Sequence, residues 1–192
     1  DYLDKTKNIT CPIEDIIYKK IKDGIRIDEV KTKGEIVLPD FIDGFPVVRI
    51  GANTFSKRQD VTAIFLPKYL VSIEENAFAF TNIASIVIPN GVETIGEKAF
   101  YSCKKLESVI LPENLKHIKG YAFEKCESIV NISIPSKTTY IGNCAFNQCK
   151  NLKGIKIPIS VSRIGYSFIP KNTIVYCDKG SRAERYIEES YG

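Results

Sequence analysis

Six phenylalanines punctuate this chain at a nearly constant interval. Phe55, Phe78, Phe100, Phe123, Phe146 and Phe168 stand 23, 22, 23, 23 and 22 residues apart. An isoleucine precedes each of them (Ile50, Ile73, Ile95, Ile118, Ile141, Ile164), and a proline before that recurs as Pro67, Pro89, Pro112, Pro135 and Pro158. One unit shows the whole pattern: Leu106-x-x-Val109-x-Leu111-Pro112-x-x-Leu115-x-x-Ile118-x-x-x-Ala122-Phe123-x-x-Cys126. Self-similarity at one period signals a solenoid, in which each unit buries its apolar face only against its neighbours. That architecture favours a binding role without naming what is bound.

Within a unit, positions 1, 4 and 6 of a short run are apolar, as in Ile83-x-x-Ile86-x-Ile88 and Leu152-x-x-Ile155-x-Ile157. Positions 4 and 6 follow the strand period of two and point inward. Proline, lacking an N–H, ends the strand. A second apolar pair three residues apart (Leu70/Ile73, Val92/Ile95, Leu115/Ile118, Val161/Ile164) brings the chain back along the opposite side. The Ala-Phe that follows closes the coil, with phenylalanine filling the interior.

The two ends read differently from the array. Residues 1–33 form a polar lead-in and a β-hairpin cap, residues 34–174 hold about six repeats, and residues 175–192 form a C-terminal cap. The hairpin is signalled by apolar alternation from Ile16 to Val30 around Asp23-Gly24, because glycine tolerates the positive φ of a tight turn. A five-residue excess between Pro39 and Ile50 carries Asp43-Gly44-Phe45-Pro46, a turn composition expected to bulge as a loop that fits the cap to the array. At the far end, Ser181 as N-cap and a stripe of Ala183, Tyr186 and Ile187 predict a short amphipathic helix over the last rung.

Composition narrows the function classes. A formal charge of +4 without a run of five basic residues gives no nucleic-acid footprint. No apolar stretch approaches the roughly 18 residues needed to span a bilayer. With no methionine anywhere, the sequence reads as a fragment or a mature product. Asn8-Ile9-Thr10 and Asn131-Ile132-Ser133 match the glycosylation sequon, for which chance is the simpler reading. Cys103, Cys126 and Cys149 share one repeat position. Side chains projecting in parallel suit stacked thiols better than disulfides, and zinc sites prefer short Cys-x-x-Cys spacings, so buried thiols acting as small hydrophobes are expected. Cys11, Cys144 and Cys177 lie off that column. The single histidine, His117, is expected to face outward without a catalytic companion. No phosphate loop, nucleophile elbow or metal-binding helix is present, so neither an enzyme nor a cofactor is indicated.

The repeat closely resembles the BspA-like, or treponemal-type, leucine-rich repeat from about Ile36 to Ile174. The segments Asp43-Gly44-Phe45-Pro46-Val47-Val48-Arg49-Ile50-Gly51 and Gly180-Ser181-Arg182-Ala183-Glu184-Arg185-Tyr186 look like that family's usual ends. Departures are small: Arg58 stands for cysteine in the first rung, one residue is missing between Phe78 and Ile83, Thr138 replaces an aliphatic, and Ser167 replaces alanine. The resemblance implies a leucine-rich-repeat solenoid, β-rich within the α/β class: a right-handed coil with a parallel sheet on one face. It also implies a secreted or cell-surface protein of a bacterium or protist, of a kind associated with adhesion to host proteins or other cells, and it brings no catalytic residue set.

Outward strand positions are what a partner would meet. Position 5 runs Val37, Phe65, Val87, Ile110, Ser133, Lys156, and position 2 runs Thr62, Ala84, Glu107, Val130, Lys153. Two readings fit. In one, Val37, Phe65, Val87 and Ile110 form an apolar patch with a basic end at Lys153 and Lys156, for recognising a protein ligand such as a host extracellular or cell-surface protein. In the other, β-branched and aromatic residues only stabilise cross-strand pairing, and the array is a spacer or stalk segment in a larger surface protein.

Overall fold

A computed structural model describes residues 10–191, which wind into a β-solenoid of about seven turns. Each turn supplies two strands. Those before the proline pair in parallel as Gly34–Val37 with Val61–Phe65, as Ser85–Val87 with Ser108–Ile110, and as a ladder of Asn131–Ser133, Gly154–Lys156 and Ile174–Tyr176. The second apolar pair forms two-residue strands, Ser72–Ile73, Thr94–Ile95, His117–Ile118, Tyr140–Ile141 and Arg163–Ile164, which build the longest uninterrupted sheet. Parallel strands therefore run along two faces, one beyond the single sheet that the resemblance implies. Once coils stack at strand spacing, the backbone of the returning segment has no better partner than the same segment one turn away.

The interior holds a file of aromatic rings. All six phenylalanines are fully buried. Phe55, Phe78, Phe100, Phe123 and Phe146 stack with centroids 5.2, 5.1, 5.1 and 5.3 Å apart and ring planes within 6° of parallel. At about 5 Å, near-parallel rings must be offset, the arrangement their quadrupoles favour. Phe168 ends the file by meeting Tyr186 of the C-terminal helix edge-on, centroids 4.8 Å apart. Backbone bonds run beside the rings: the Phe100 N–H donates to the Ala122 carbonyl at 2.8 Å, and Phe55, Phe78 and Phe123 repeat this with Ala77, Ala99 and Ala145. The last turn is one residue shorter between Ile164 and Phe168, so the Phe146 N–H reaches the Phe168 carbonyl itself, at 2.7 Å.

The cysteine column packs against this ladder. The thiols of Cys103, Cys126 and Cys149, all free and buried, donate to the carbonyls of Phe78, Phe100 and Phe123 one turn back, at 3.0, 3.1 and 3.1 Å. Burial raises the Cys126 thiol well above its ordinary range and pushes Cys149 up to about 12, so both stay protonated and able to donate. Arg58 occupies the same position in the first rung, where the file of stacked rings has no earlier member. Its guanidinium donates to the Val30 carbonyl, to Thr32 O at 2.7 Å and to both Asp60 oxygens at 2.8 and 2.7 Å, tying the hairpin's last strand to the array. Thr138, fully buried, donates its hydroxyl to Leu115 O at 2.9 Å, so the loss of an aliphatic leaves no polar group unpaired.

Both caps form. The hairpin Ile16–Ile21/Gly24–Val30 turns through Lys22-Asp23, and its second strand joins the long sheet in parallel, Ile27 opposite Ile50. Gly24 is required there, since a Cβ would lie 2.3 Å from the Pro46 carbonyl oxygen. The segment expected to bulge as a loop is instead a second hairpin, Phe41–Ile42 with Phe45–Ile50. Asp43 and Gly44 both hold positive φ, 51° and 78°, as a two-residue turn whose twist matches its strands demands. Tyr18 clamps it, donating to Asp43 at 2.6 Å. The start of the described chain is pinned to the array: Thr10 pairs with Val37, and Cys11 N–H donates to Val37 O at 2.8 Å. The rest of the lead-in, with the Asn8 sequon, lies outside the described residues. The C-terminal helix is Arg182–Tyr191, capped by Ser181 Oγ accepting from the Glu184 N–H at 3.1 Å, and Ala183 and Tyr186 are buried as the stripe required.

Truncating Phe100 to alanine opens the middle of the ring file and should cost about 3–5 kcal/mol in chemical denaturation. Arg58→Ala should cost about 1.5–3 kcal/mol in the same measurement, because two buried-side carbonyls lose a charged donor.

Candidate binding surface

The outward residues of the pre-proline strands fall into register as the pattern requires. Val37 stands opposite Phe65, Val87 opposite Ile110, and Ser133 opposite Lys156. Val37 and Phe65 are half-buried, whereas Val87 and Ile110 are 45% and 56% exposed. Lys153 and Lys156 are exposed. The column is divided among three ladders, with breaks after Phe65 and after Ile110. The first break lies beside the turn that is one residue short between Phe78 and Ile83.

The basic pair is not the end of the surface. Tyr176 pairs with Lys156 and Ile174 with Gly154, and both are 58% exposed. The repeat boundary expected at Ile174 puts Val175 and Tyr176 in the C-terminal cap and leaves Tyr176 off the surface; Asn172 and Asp178 stand there where an aliphatic and a proline frame the other strands. The surviving signal was Val175 alone, whose side chain is partly buried in line with Ile155. Lys153 and Lys156 thus lie in a basic band between the apolar stretch and an aromatic-aliphatic rim.

Residues 48–175, two-thirds of the chain, match the BspA type Leucine rich repeat region in six copies. This chain belongs to the BspA-type leucine-rich repeat family. Among solved structures, the leucine-rich repeat protein of T. pallidum is similar over 96% of this chain and 97% of its own, at 23% identity and a TM-score of 0.79. A leucine-rich repeat protein from Bacteroides ovatus is similar over 86% of this chain and 66% of its own, at 19% identity and a TM-score of 0.50. No curated protein matches the sequence. Among the described residues, no helix is long and apolar enough to cross a membrane.

This BspA-type solenoid carries a second surface on the long sheet. Outward residues there align as Arg26, Arg49, Ser72, Thr94, His117, Tyr140 and Arg163. A groove of about 620 Å³ crosses it, lined by Glu74, Glu75, Glu97, Lys119, Tyr121 and Tyr140 among others. Gly96 leaves the gap between Glu74 and Lys119, and the stack enforces that gap, since a Cβ there would lie 2.6 Å from the Glu74 carbonyl carbon. The rings are already engaged by cations of this chain: Lys119 Nζ and Arg163 Cζ lie 5.6 and 5.4 Å from the Tyr140 centroid, and Lys98 Nζ lies 5.4 Å from that of Tyr121.

His117 sits in this column half-buried rather than fully exposed, with Nδ1 3.4 Å from Thr94 Oγ1 and its ring near Tyr140. Burial, then the neighbouring Lys119, Arg163 and Lys116, lower its pKa, and Glu93 opposes them weakly. The unfolded chain therefore takes up a proton at a higher pH than the folded one, so stability falls as pH drops through the unfolded value and levels off below the folded one. Thermal unfolding between pH 8 and pH 5 should show this loss in the parent protein and a smaller one in His117→Gln.

Proposed function

We propose that this BspA-type solenoid is a non-enzymatic protein-binding module of a secreted or cell-surface protein, recognising its partner through the pre-proline strand face. The observation that carries the reading is the in-register file of solvent-facing apolar residues, with Val87 and Ile110 at its centre and Lys153, Lys156 and Tyr176 beyond. Val37 and Phe65 extend it toward the N-terminal end as half-buried members. Solvated strands of an antiparallel or open face usually alternate to polar residues outward, and consecutive turns that put valine and isoleucine there forgo that. Interfaces of this chemistry concentrate their energy in central apolar and aromatic anchors with a polar rim. The basic band suits a partner carrying carboxylates beside an apolar patch, and a host extracellular or cell-surface protein has both the exposure and the size.

The second reading, a spacer segment with no ligand of its own, is favoured by cross-strand pairing as a sufficient reason for β-branched residues at these positions. Substitution separates the two. Val87→Ser with Ile110→Ser alters two side chains that are 45% and 56% exposed and lie outside the buried core, and should leave the fold intact, with Tm lowered by only a few degrees, about 5 °C at most. Binding to purified extracellular-matrix and serum proteins, measured by surface plasmon resonance, should identify a ligand whose affinity falls by about tenfold or more in the double variant. A ligand held equally well by both proteins would remove the strand face from consideration, and no ligand across the panel would leave the spacer reading standing.

A further inference from the structure

The stack's ends are not closed equally. At the N-terminal end the strand Gly34–Val37 is covered by Thr10 and Cys11, and the long sheet ends on Ile16–Ile21, which carries Lys19 and Lys20 and a bulge between Ile17 and Tyr18. Charged side chains and bulges are the usual means of blunting a free edge. At the C-terminal end, the helix Arg182–Tyr191 packs on Arg163–Ile164 and on Phe168. The other half of the last turn, Ile174–Tyr176, is an edge strand with no neighbour beyond it among the described residues.

Its pairing shows which groups are free. Ile174 N–H donates to Lys153 O, and Tyr176 O accepts from Ile157 N–H, so residues 174 and 176 face the array. In a parallel ladder alternate residues point their backbone groups to opposite sides, which turns the N–H and C=O of Val175 to the open edge. A crevice of about 250 Å³ separates that edge from the helix, lined by Thr173, Val175, Cys177, Glu184, Ile187 and Glu188, with Lys171 at the rim. Ile, Val and Tyr are all strong strand formers, and neither a bulge nor a proline interrupts them.

The geometry points to Ile174–Tyr176 as a strand-addition site that takes an extended, basic segment of a partner protein in parallel. Backbone pairing with Val175 supplies the main contact, as in other edge-strand recognition. Residues of the incoming strand that face outward stack on Ile174 and Tyr176, which suits β-branched or aromatic side chains. Those facing inward lay an aliphatic stem along Val175 and Ile187 and bring a cation to Glu188 and to the Glu184 oxygen that does not accept the Gly180 N–H, two carboxylates against the single ammonium of Lys171 in the crevice lining. The site adjoins the strand face proposed above and shares Tyr176 with it, but its main contact is the backbone edge of one strand, which Val87 and Ile110 do not touch.

The test uses a short acetylated peptide alternating valine and lysine, titrated into the whole protein and followed by amide exchange and NMR. Expected are saturable binding, new protection at the Val175 amide, and affinity about tenfold weaker for a valine–glutamate peptide. An N-methylated valine–lysine peptide should not bind. Val175→Pro removes the outward N–H at an edge strand, where proline is tolerated, so with the fold verified by its unfolding transition it should abolish binding, whereas Val87→Ser with Ile110→Ser should leave peptide affinity unchanged. Equal binding to Val175→Pro or of the N-methylated peptide would overturn the site. So would a Val175 amide already protected in the free protein, or self-association through this edge that excludes the peptide.

Discussion

The carbonyl of each stacked phenylalanine is the point on which the coil depends. It lies inside, beside a fully buried ring, where an unpaired acceptor costs about 1–3 kcal/mol. The backbone meets part of that need: Cys103 and Cys126 N–H groups reach Phe100 and Phe123 O within the same turn, both at 3.2 Å. The remaining lone pair takes a thiol from the next turn. Cysteine is suited to this because it is small and apolar enough to sit in a core and still has a proton to give. Thr81 does the same within its own turn, with its hydroxyl 2.9 Å from Phe78 O. Arg58 is the exception that explains the rule, since its donors go to carbonyls of the hairpin cap.

The same turn stores a repeated conformational cost. Residues two before and two after each of the first five repeat phenylalanines hold positive φ without being glycine: Asn53 and Lys57, Asn76 and Phe80, Lys98 and Ser102, Tyr121 and Lys125, Cys144 and Gln148. Each such residue costs roughly 1–2 kcal/mol against its ordinary conformation. Inter-turn bonds oppose that cost: the Lys98, Phe80 and Lys125 N–H groups donate to Gly120, Tyr101 and Asn147 carbonyls at 3.0, 2.8 and 2.9 Å. A single coil would therefore be strained and unsupported, while a stack is neither. That is the local reason such arrays need several copies to hold together.

This explains what the sequence made legible. Phenylalanine, isoleucine, proline and cysteine repeat because the interior and the strand end repeat, so the coil, its spine and both caps could be read directly. The left-handed positions could not, because their residues share no chemistry: Lys98, Phe80, Tyr121 and Cys144 have only backbone geometry in common. The second hairpin at Asp43-Gly44 was visible as a turn but not as strands, since Phe41 and Ile42 are too few to show a period. The candidate surface was half legible. Positions 2 and 5 turn outward as the pattern requires, yet Tyr176 was missed because Asn172 and Asp178 stand where an aliphatic and a proline frame the other strands.

Surface chemistry then follows from where the repeat is free to vary. On the long sheet, glycine at 51, 96, 142 and 165 is held by stacking, since an added Cβ would meet atoms of the preceding turn at 2.3 to 2.7 Å. Glu74 and Lys119 depart from that glycine pattern and bracket the groove, while the tyrosines there are engaged by the chain's own cations. The pre-proline face has no such constraint: Val87, Ile110 and Lys156 meet solvent, and neighbouring turns differ freely in sign and polarity. Stacking fixes one face of this solenoid and leaves the other open to selection by whatever it meets. A partner-specific sequence is therefore better sought on the pre-proline strands than on the sheet that is more regular.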